Sequence, residues 1–474
     1  MKLYGGEHPM NTTAEHIQQT YERLHSSFLS HKTISLQWRR QQLEQIALML
    51  REHELEFATA LADDLGKSAT EAWVTEIGFL LSDITHNIKN LNKWAKPRRV
   101  KSPLAMQPAR SKLTPEPLGV VLIMGAWNYP LQLTLAPAIA AIAAGNCVYM
   151  KPSEVSPATA AIMAKLLPQY VDNDCIQIIE GDASLANELL TLPFNHIFYT
   201  GGGHVGKIVM RAAAEHLTPV SLELGGKSPV IVSRHTNIKA TARRIVWGKF
   251  INAGQTCIAP DYVLVEEEVH EQLVQALKDT IRHFYAAEPE SSNDYSRIVA
   301  ARHIDRLAKL IEPEDIPGAT IHGGDYDRES RYFAPTLVDN CPPDSKLMDE
   351  EIFGPILPII VAPDLPSAFA FVRSRPQPLA CYIFSQDTLE QQQAEQFIQC
   401  GSLCINDTMV FMLNPALPFG GVGPSGMGRY HGQWGFDTFS HLKPVVTRSF
   451  KFDLDVRYPP YSNLKAKLLK ILLG

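Results

Sequence analysis

The stretch HIFYTGGGHVGKIVM, residues 196–210, sets a short apolar run, three adjacent glycines and the start of a helical pattern side by side. HIFYT reads as a buried strand, and the residues after the glycines read as a helix. Gly201-x-Gly203-x-x-Gly206 therefore falls in a strand–turn–helix context, where glycine permits close backbone approach and the helix N-terminus favours an anionic phosphate. Three adjacent glycines generate such spacing easily, so the loop is weighed with its surroundings.

Upstream, GVVLIMG (119–125) reads as a buried strand, residues 131–144 as an alanine-rich helix and CVYM (147–150) as another strand. Residues 157–170 are helical, and IQIIE (176–180) is a strand. Strands apolar on both faces, alternating with helices, imply a parallel sheet covered on both sides. The fold class is thus α/β, with a doubly wound parallel-sheet domain. After SLELGGKSPVIV (221–232) the alternation resumes: residues 238–250 are helical and YVLVEE (262–267) is a strand. This predicts a second α/β domain, with a boundary near Gly225 and Gly226. Residues 36–65 carry apolar positions at helical spacing and read as long amphipathic helices. The basic, proline-rich run 96–117 has no helical period; it reads as an edge hairpin or a linker, and periodicity does not choose.

The 474 residues, 45% hydrophobic and 20% charged, suffice for two or three domains. A net charge of −6 argues against nucleic acid, which needs a concentrated basic surface. The seven cysteines form no C-x-x-C pair, and no His/Cys group stands beside Cys400 and Cys404 at zinc-ligand spacing. They read as reduced thiols of a cytoplasmic protein, and no metal site is expected. MKLYGGEHPMNTTAEH at the N-terminus offers no leader-like apolar run, and no apolar segment reaches membrane-spanning length.

NAGQTCIAP (252–260) places Cys257 between a polar loop and an apolar run. Free cysteine is commonly a small buried hydrophobe, so a catalytic reading needs a base, an oxyanion donor and a cofactor elsewhere in the chain. Two glutamates compete for a cofactor ribose. Glu223 stands about twenty residues beyond the glycine loop, at the fingerprint distance, and Glu154 follows the strand ending at Met150, beside Lys151. Local sequence leaves that choice open.

LELGGKSP and NAGQTCIAP resemble the two signature motifs of the NAD(P)-dependent aldehyde dehydrogenases. MGAWNYP (124–130), KPSE (151–154), FYTGGGHVG (198–206), EEIFGP (350–355) and PFGGVGPSGMGRYHG (418–432) resemble further motifs of that family, in the same order. GAWNYP, CIAPDYVL and VRYPP are most similar to the class three branch, which includes fatty and aromatic aldehyde dehydrogenases. The resemblance implies an aldehyde dehydrogenase-like fold. It assigns residues 1–96 and 118–224 to cofactor binding, 225–424 to catalysis, 97–117 and 425–460 to oligomerisation, and 461–474 to an amphipathic tail. It implies Cys257 as nucleophile, Glu223 as general base and Asn128 as oxyanion donor. Lys151 and Glu154 become adenosine-ribose contacts; Gly201, Gly206, Trp127, Leu224, Glu351 and Phe353 join them around the cofactor. NAD is the first expectation, because Glu154 repels a 2′-phosphate, with NADP accepted by some relatives. The family often has serine where this chain has Gly202, which removes one hydroxyl contact to phosphate. His204 in the same loop reads as a solvent-exposed residue.

The chemistry explains the residue types. A free aldehyde has no tetrahedral carbon from which hydride can leave; addition of a thiolate creates one, as a thiohemiacetal. Asn128 and a backbone N–H at Cys257 would hold the oxyanion, and Glu223, with a pKa raised by burial, would activate water to hydrolyse the resulting thioester. The expected outcome is irreversible oxidation of aldehydes to carboxylic acids. A cysteine-dependent acyl hydrolase would need a histidine partner for Cys257 and leaves the glycine loop unexplained; a structural protein would need none of these groups.

Tyr129, Trp247, Thr256, Ile258, Phe411 and Phe419 form the pool expected to line an apolar substrate tunnel, pointing to medium- or long-chain aliphatic, or aromatic, aldehydes. In LKAKLLKILLG (464–474) Leu464, Leu468, Ile471 and Leu472 share a helical face among lysines. Too short to span a bilayer, the tail could lie on an anionic membrane surface, cover the substrate mouth or dock on a partner subunit. Class three relatives are typically homodimers joined through the excursion and C-terminal segments.

Overall fold

The computed structural model describes residues 14–451, 453 and 455–473. The amino-terminal stretch read as lacking a leader lies mostly outside them. Two large sheets organise the chain. In the first, Gly426–Met427, Val220–Glu223, His196–Thr200, Val120–Met124, Cys147–Lys151 and Ile176–Ile178 lie side by side in that order. All neighbours are parallel except Gly426–Met427, which pairs antiparallel with Val220–Glu223. The second orders Thr320–His322, Thr336–Asp339, Ile356–Ala362, Tyr262–Glu266, Pro229–Val232, Ala380–Phe384 and Ser402–Ile405, again parallel except at its first edge.

The inner strands are buried along their whole length, which is why they read as continuous apolar runs rather than alternating ones. Helix Pro130–Ala144 is likewise buried throughout. Proline occupies its first turn, where no N–H partner is required. It ends at Gly145 (φ +96°), where a Cβ would stand 2.3 Å from Arg39 Nη2. Arg39 occupies that space and donates to the Ala143 carbonyl at 3.1 Å, serving the helix C-terminus. The expected helices appear at Pro157–Tyr170 and Ile238–Phe250. The 36–65 pattern divides at His53 into Leu36–Glu52 and Glu54–Leu65. IQIIE is strand only over Ile176–Ile178.

The excursion is a hairpin. Arg98–Val100 pairs with Ala109–Pro117, which pairs along its full length with Ser440–Arg448. Residues 426–439 pack instead on the first sheet: helix Gly432–Thr438 meets helix Pro130–Ala144, and Gly435 lies so close to Ala140 that a Cβ would stand 2.9 Å from its side chain. Among the described residues no helix is long and apolar enough to cross a membrane.

Candidate active site

Cys257 follows a turn held by its own polar side chains. Asn252 and Ala253 adopt left-handed backbone (φ 51° and 50°), a strained choice for residues with side chains that surrounding contacts must enforce. Asn252 Nδ2 donates to the carbonyls of Asn128 (2.8 Å) and Gln255 (3.1 Å). Gln255 Nε2 donates to the carbonyls of Asn252 and Arg297, both at 3.0 Å, while its Oε1 accepts from Val299 N–H at 2.9 Å. Glu71 accepts from Asn252 N–H at 2.9 Å. The polar half of NAGQTC is thus the scaffold that aims the cysteine. Backbone N–H groups of Cys257 and Ile258 face the sulfur.

Asn128 is buried. One of its amide protons goes to the Gln255 carbonyl at 3.0 Å, leaving the other for a ligand oxygen. Its backbone carbonyl accepts from Lys67 Nζ at 3.3 Å. Lys67 and Glu76, both fully buried, form an ion pair at 2.5 Å. Glu76 Oε2 accepts the Leu131 and Gln132 N–H groups (2.9 and 3.1 Å) at the start of helix Pro130–Ala144, so its charge also faces the positive helix end. Lys67 Nζ lies 4.1 Å from the Tyr129 ring centroid, and Tyr129 OH meets Thr256 Oγ1 at 2.6 Å. Lys67, Glu71, Glu76, Asn252 and Gln255 were not among the sequence candidates. Their signal is faint: charged or amide residues amid otherwise apolar stretches.

Glu223 ends its strand 3% exposed, and neither carboxylate oxygen has a hydrogen-bond partner. Burial pushes its carboxyl well above the usual carboxylate range. Burial also pushes the Cys257 thiol up, reinforced by Glu351 and Glu223. Burial thus favours the uncharged form of both groups.

Two clefts meet at this point. A larger one of about 1520 Å³ lies beyond the carboxyl ends of the first sheet's strands, and a largely apolar one of about 890 Å³ lies opposite. Leu133, Thr200, Glu223, Leu224 and Cys257 line both. The larger cleft also takes in Trp127, Asn128, Lys151, Glu154, Gly201, Glu351 and Phe353. Lys151 Nζ, buried, pairs with partly exposed Glu154 at 2.9 Å. Helix Gly203–Glu215 begins there, and a Cβ at Gly202 or Gly203 would meet nothing within 4 Å; its open N-terminus suits pyrophosphate. Gly225 leaves room for Glu351, whose Oε2 would stand 1.8 Å from a Cβ there. Burial, with Asp261 adding, lifts Glu351 to about 8. Phe353 (φ 47°) meets Trp127 edge to face at 5.2 Å. These groups fit a dinucleotide: hydroxyl acceptors at one end, a helix N-terminus between, an aromatic pair and a carboxylate at the other.

Gly206 lies one turn into the helix, where a Cβ would stand 3.0 Å from Leu224 Cδ2, so glycine there permits close packing of the helix. The Phe411 ring stacks on Tyr382 (6.5 Å) and Phe419 (6.4 Å), and Phe411 is not among the residues lining the apolar cleft. Tyr129, Trp247, Thr256, Ile258 and Phe419 do line it, joined by Val74, Phe79, Met409, Met412 and Tyr430. His204 is exposed, in the first turn of its helix.

Residues 7–445 match the aldehyde dehydrogenase family model. The chain is 43% identical to aldehyde dehydrogenase family 3 member H1 of Arabidopsis thaliana over 473 residues, covering all of this chain and 96% of that one. It is 44% identical to 4,4′-diaponeurosporen-aldehyde dehydrogenase of Staphylococcus aureus over 96% of this chain and 98% of the other. Against rat aldehyde dehydrogenase family 3 member A2 the figure is 45%, over 96% and 94%. Among solved structures, a substrate-bound Staphylococcus aureus AldH superposes with a TM-score of 0.94 at 43% identity, covering 97% of this chain and 99% of that one. An NAD-dependent aldehyde dehydrogenase from Sinorhizobium meliloti gives 0.85 at 25%, over 93% and 88%. The chain belongs to the aldehyde dehydrogenase family, in its class three branch, and oxidises aldehydes to carboxylic acids with a nicotinamide cofactor.

Proposed function

We propose that Cys257, Glu223 and Asn128 carry this oxidation, and that the substrates are medium- or long-chain aliphatic, or aromatic, aldehydes. The observation supporting both is the meeting of the apolar and cofactor clefts at Cys257 and Glu223. The aldehyde enters through the apolar side. The Cys257 thiol passes its proton to the ionised Glu223 carboxylate, which releases it to solvent water, while the sulfur bonds to the carbonyl carbon and the π pair moves to oxygen. That oxyanion accepts from the free Nδ2–H of Asn128 and from the backbone N–H at Cys257. When bound, the oxidised nicotinamide supplies the two-electron acceptor. The thioester left on Cys257 is attacked by water, whose proton passes to Glu223; the carbon–sulfur bond breaks and the acid leaves. A carboxyl lifted by burial suits that exchange, because its ionised form is a stronger base than an ordinary carboxylate.

NAD is the proposed first cofactor. Glu154 already pairs the Lys151 ammonium, so that cation is engaged when a 2′-phosphate would need it. Lys151, Glu154, Gly201, Trp127, Leu224, Glu351 and Phe353 are the proposed contacts. The domain reading places the cofactor on residues 1–96 and 118–224 and Cys257 within 225–424. Residues 97–117 and 440–460 are proposed as the oligomerisation segments of a homodimer: Ser440–Arg448 is a nine-residue strand whose outer edge is unpaired among the described residues, a ready site for pairing. Helix Asn463–Leu473 exposes Leu464, Leu468 and Ile471 and is proposed to make peripheral membrane contact.

The test is nicotinamide reduction with a chain-length series of aldehydes and with NAD and NADP in parallel. Rising kcat/KM with chain length and a preference for NAD are expected. A preference for the shortest aldehydes would contradict the substrate class. Sedimentation mass of one chain would contradict the dimer, and equal partition with and without anionic vesicles would contradict membrane contact.

A further inference from the structure

A recess of about 700 Å³ continues from the apolar cleft and changes its character. It shares Val74, Phe79, Met412 and Leu413 with the cleft beside Cys257. Beyond these, Trp73, Gly78 and Pro415 complete the wall together with a polar set: Ser82, Asp83 and His86 from helix Gly78–Trp94, and His431 from the turn before helix Gly432–Thr438. No lysine or arginine lines it.

Its polar groups have spare bonding capacity. His431 is 6% exposed, and its Nε2 is buried without a partner; the ring is fixed against Phe419 at 5.3 Å and Tyr430 at 4.4 Å. The Asp83 carboxylate accepts from Asn87 Nδ2 at 3.0 Å, and burial lifts its carboxyl to about 7. Among the described residues it has no ion-pair partner. Gly432 pins the recess: at φ +49° a Cβ would stand 2.1 Å from the Pro415 carbonyl oxygen and 3.3 Å from His86 Nε2. A buried polar atom with no partner is costly, and a ligand group that bonds it recovers that cost.

We propose that this recess is a subsite for a hydroxyl group at the substrate end remote from the aldehyde, so that ω-hydroxy aldehydes are substrates. A hydroxyl both donates and accepts, matching the carboxyl of Asp83 and the free ring nitrogen of His431. An ω-carboxylate finds no cation in the wall and faces Asp83, so it is disfavoured. The proposal rests on the medium- to long-chain reading above.

The experiment measures kcat/KM with NAD for unsubstituted, ω-hydroxy and ω-carboxy aldehydes across one chain-length series. In a purely apolar tunnel an unpartnered hydroxyl would lower kcat/KM roughly tenfold or more at every length. Here the ω-hydroxy to unsubstituted ratio is expected to be low for short chains and to reach about one or more once the chain spans to the recess. That gain should appear in KM, and the ω-carboxy ratio should stay low. Asp83→Leu and His431→Phe should each lower the long-chain ratio about tenfold, and Asp83→Asn, which still hydrogen-bonds, should restore it. Because both substrates are measured on the same preparation, partial misfolding of a variant cancels in the ratio. A ratio that is low at all lengths, or indifferent to Asp83→Leu, would overturn the proposal. If unsubstituted long chains are themselves poor substrates, the chain-length reading fails first, and the unsubstituted series alone reports it.

Discussion

On one side of Cys257 the wall is made by the carboxyl ends of consecutive parallel strands and the turns after them. On the other side it is made by helix faces and by the loop near residues 409–419, which are far apart in the chain. The cofactor side joins a glycine turn, Lys151, Glu154 and Glu351 at fixed places on a doubly wound sheet, where ligands are expected. The aldehyde side is apolar residues whose types match any core. A nicotinamide cofactor makes the same demands in every relative, whereas an aldehyde's chain varies, so one wall is set by sheet geometry and the other is free to change. Removing groups from each side, and from the sulfur between them, tests that contrast.

The largest effect is expected at the junction. Cys257→Ala should lower nicotinamide reduction by about 10⁴-fold or more, as loss of a nucleophile does elsewhere, while cofactor binding measured by fluorescence quenching persists. Retained turnover would move the chemistry to another residue. Beneath the junction, Lys67→Met leaves Glu76 buried without its cation. That should cost about 3–5 kcal/mol of stability, read as a drop in denaturant midpoint; an unchanged midpoint would show that the pair does not brace the site. Asn128→Ala should reduce kcat by about 10²–10³ with little change in cofactor affinity.

Legibility follows the same division. The two-sheet architecture was readable because strands such as VVLIM and YVLVE are apolar on both faces, a pattern only a covered parallel sheet explains. Cys257, Glu223 and Asn128 were visible through motif resemblance, since nothing in local periodicity separates Glu223 from a ribose ligand. The structure adds the physical distinction: both Glu223 oxygens are buried without partners, whereas Glu154 is half exposed beside Lys151. A spacing rule cannot see that Gly206 packs close to Leu224 or that the Phe411 ring stacks on Tyr382 and Phe419. The Asn252–Gln255 braces leave no local signal because their partners lie up to 181 residues away, which no local window sees; Lys67 and Glu76 stand nine residues apart, but nothing in that spacing marks them as a buried pair.

The pH response should differ between the two sides. Glu223 accepts a proton only after losing its own, and burial raises the pH at which that happens. Deacylation should therefore go on quickening with pH above the range where an ordinary carboxyl has already ionised, by up to about tenfold per unit, and Glu223→Gln should abolish that slope. A rate that levels off where an ordinary carboxyl ionises would contradict a buried base. The smallest expected change lies at the far end of the cofactor cleft. Glu154→Gln removes the carboxylate facing a 2′-phosphate and frees Lys151, so the NADP to NAD ratio of kcat/KM should rise by about tenfold or less. An unchanged ratio would place the adenosine ribose elsewhere.

The most direct measurement is intact and peptide mass spectrometry of Glu223→Gln mixed with NAD and a medium-chain aldehyde, alongside rapid-mixing absorbance. One equivalent of reduced nicotinamide per active site, followed by a stall and an acyl adduct on the peptide carrying Cys257, is the predicted result. Steady turnover without a burst, or a burst with the adduct on another residue, would contradict the assignment of Cys257 and Glu223 to the two halves of the reaction.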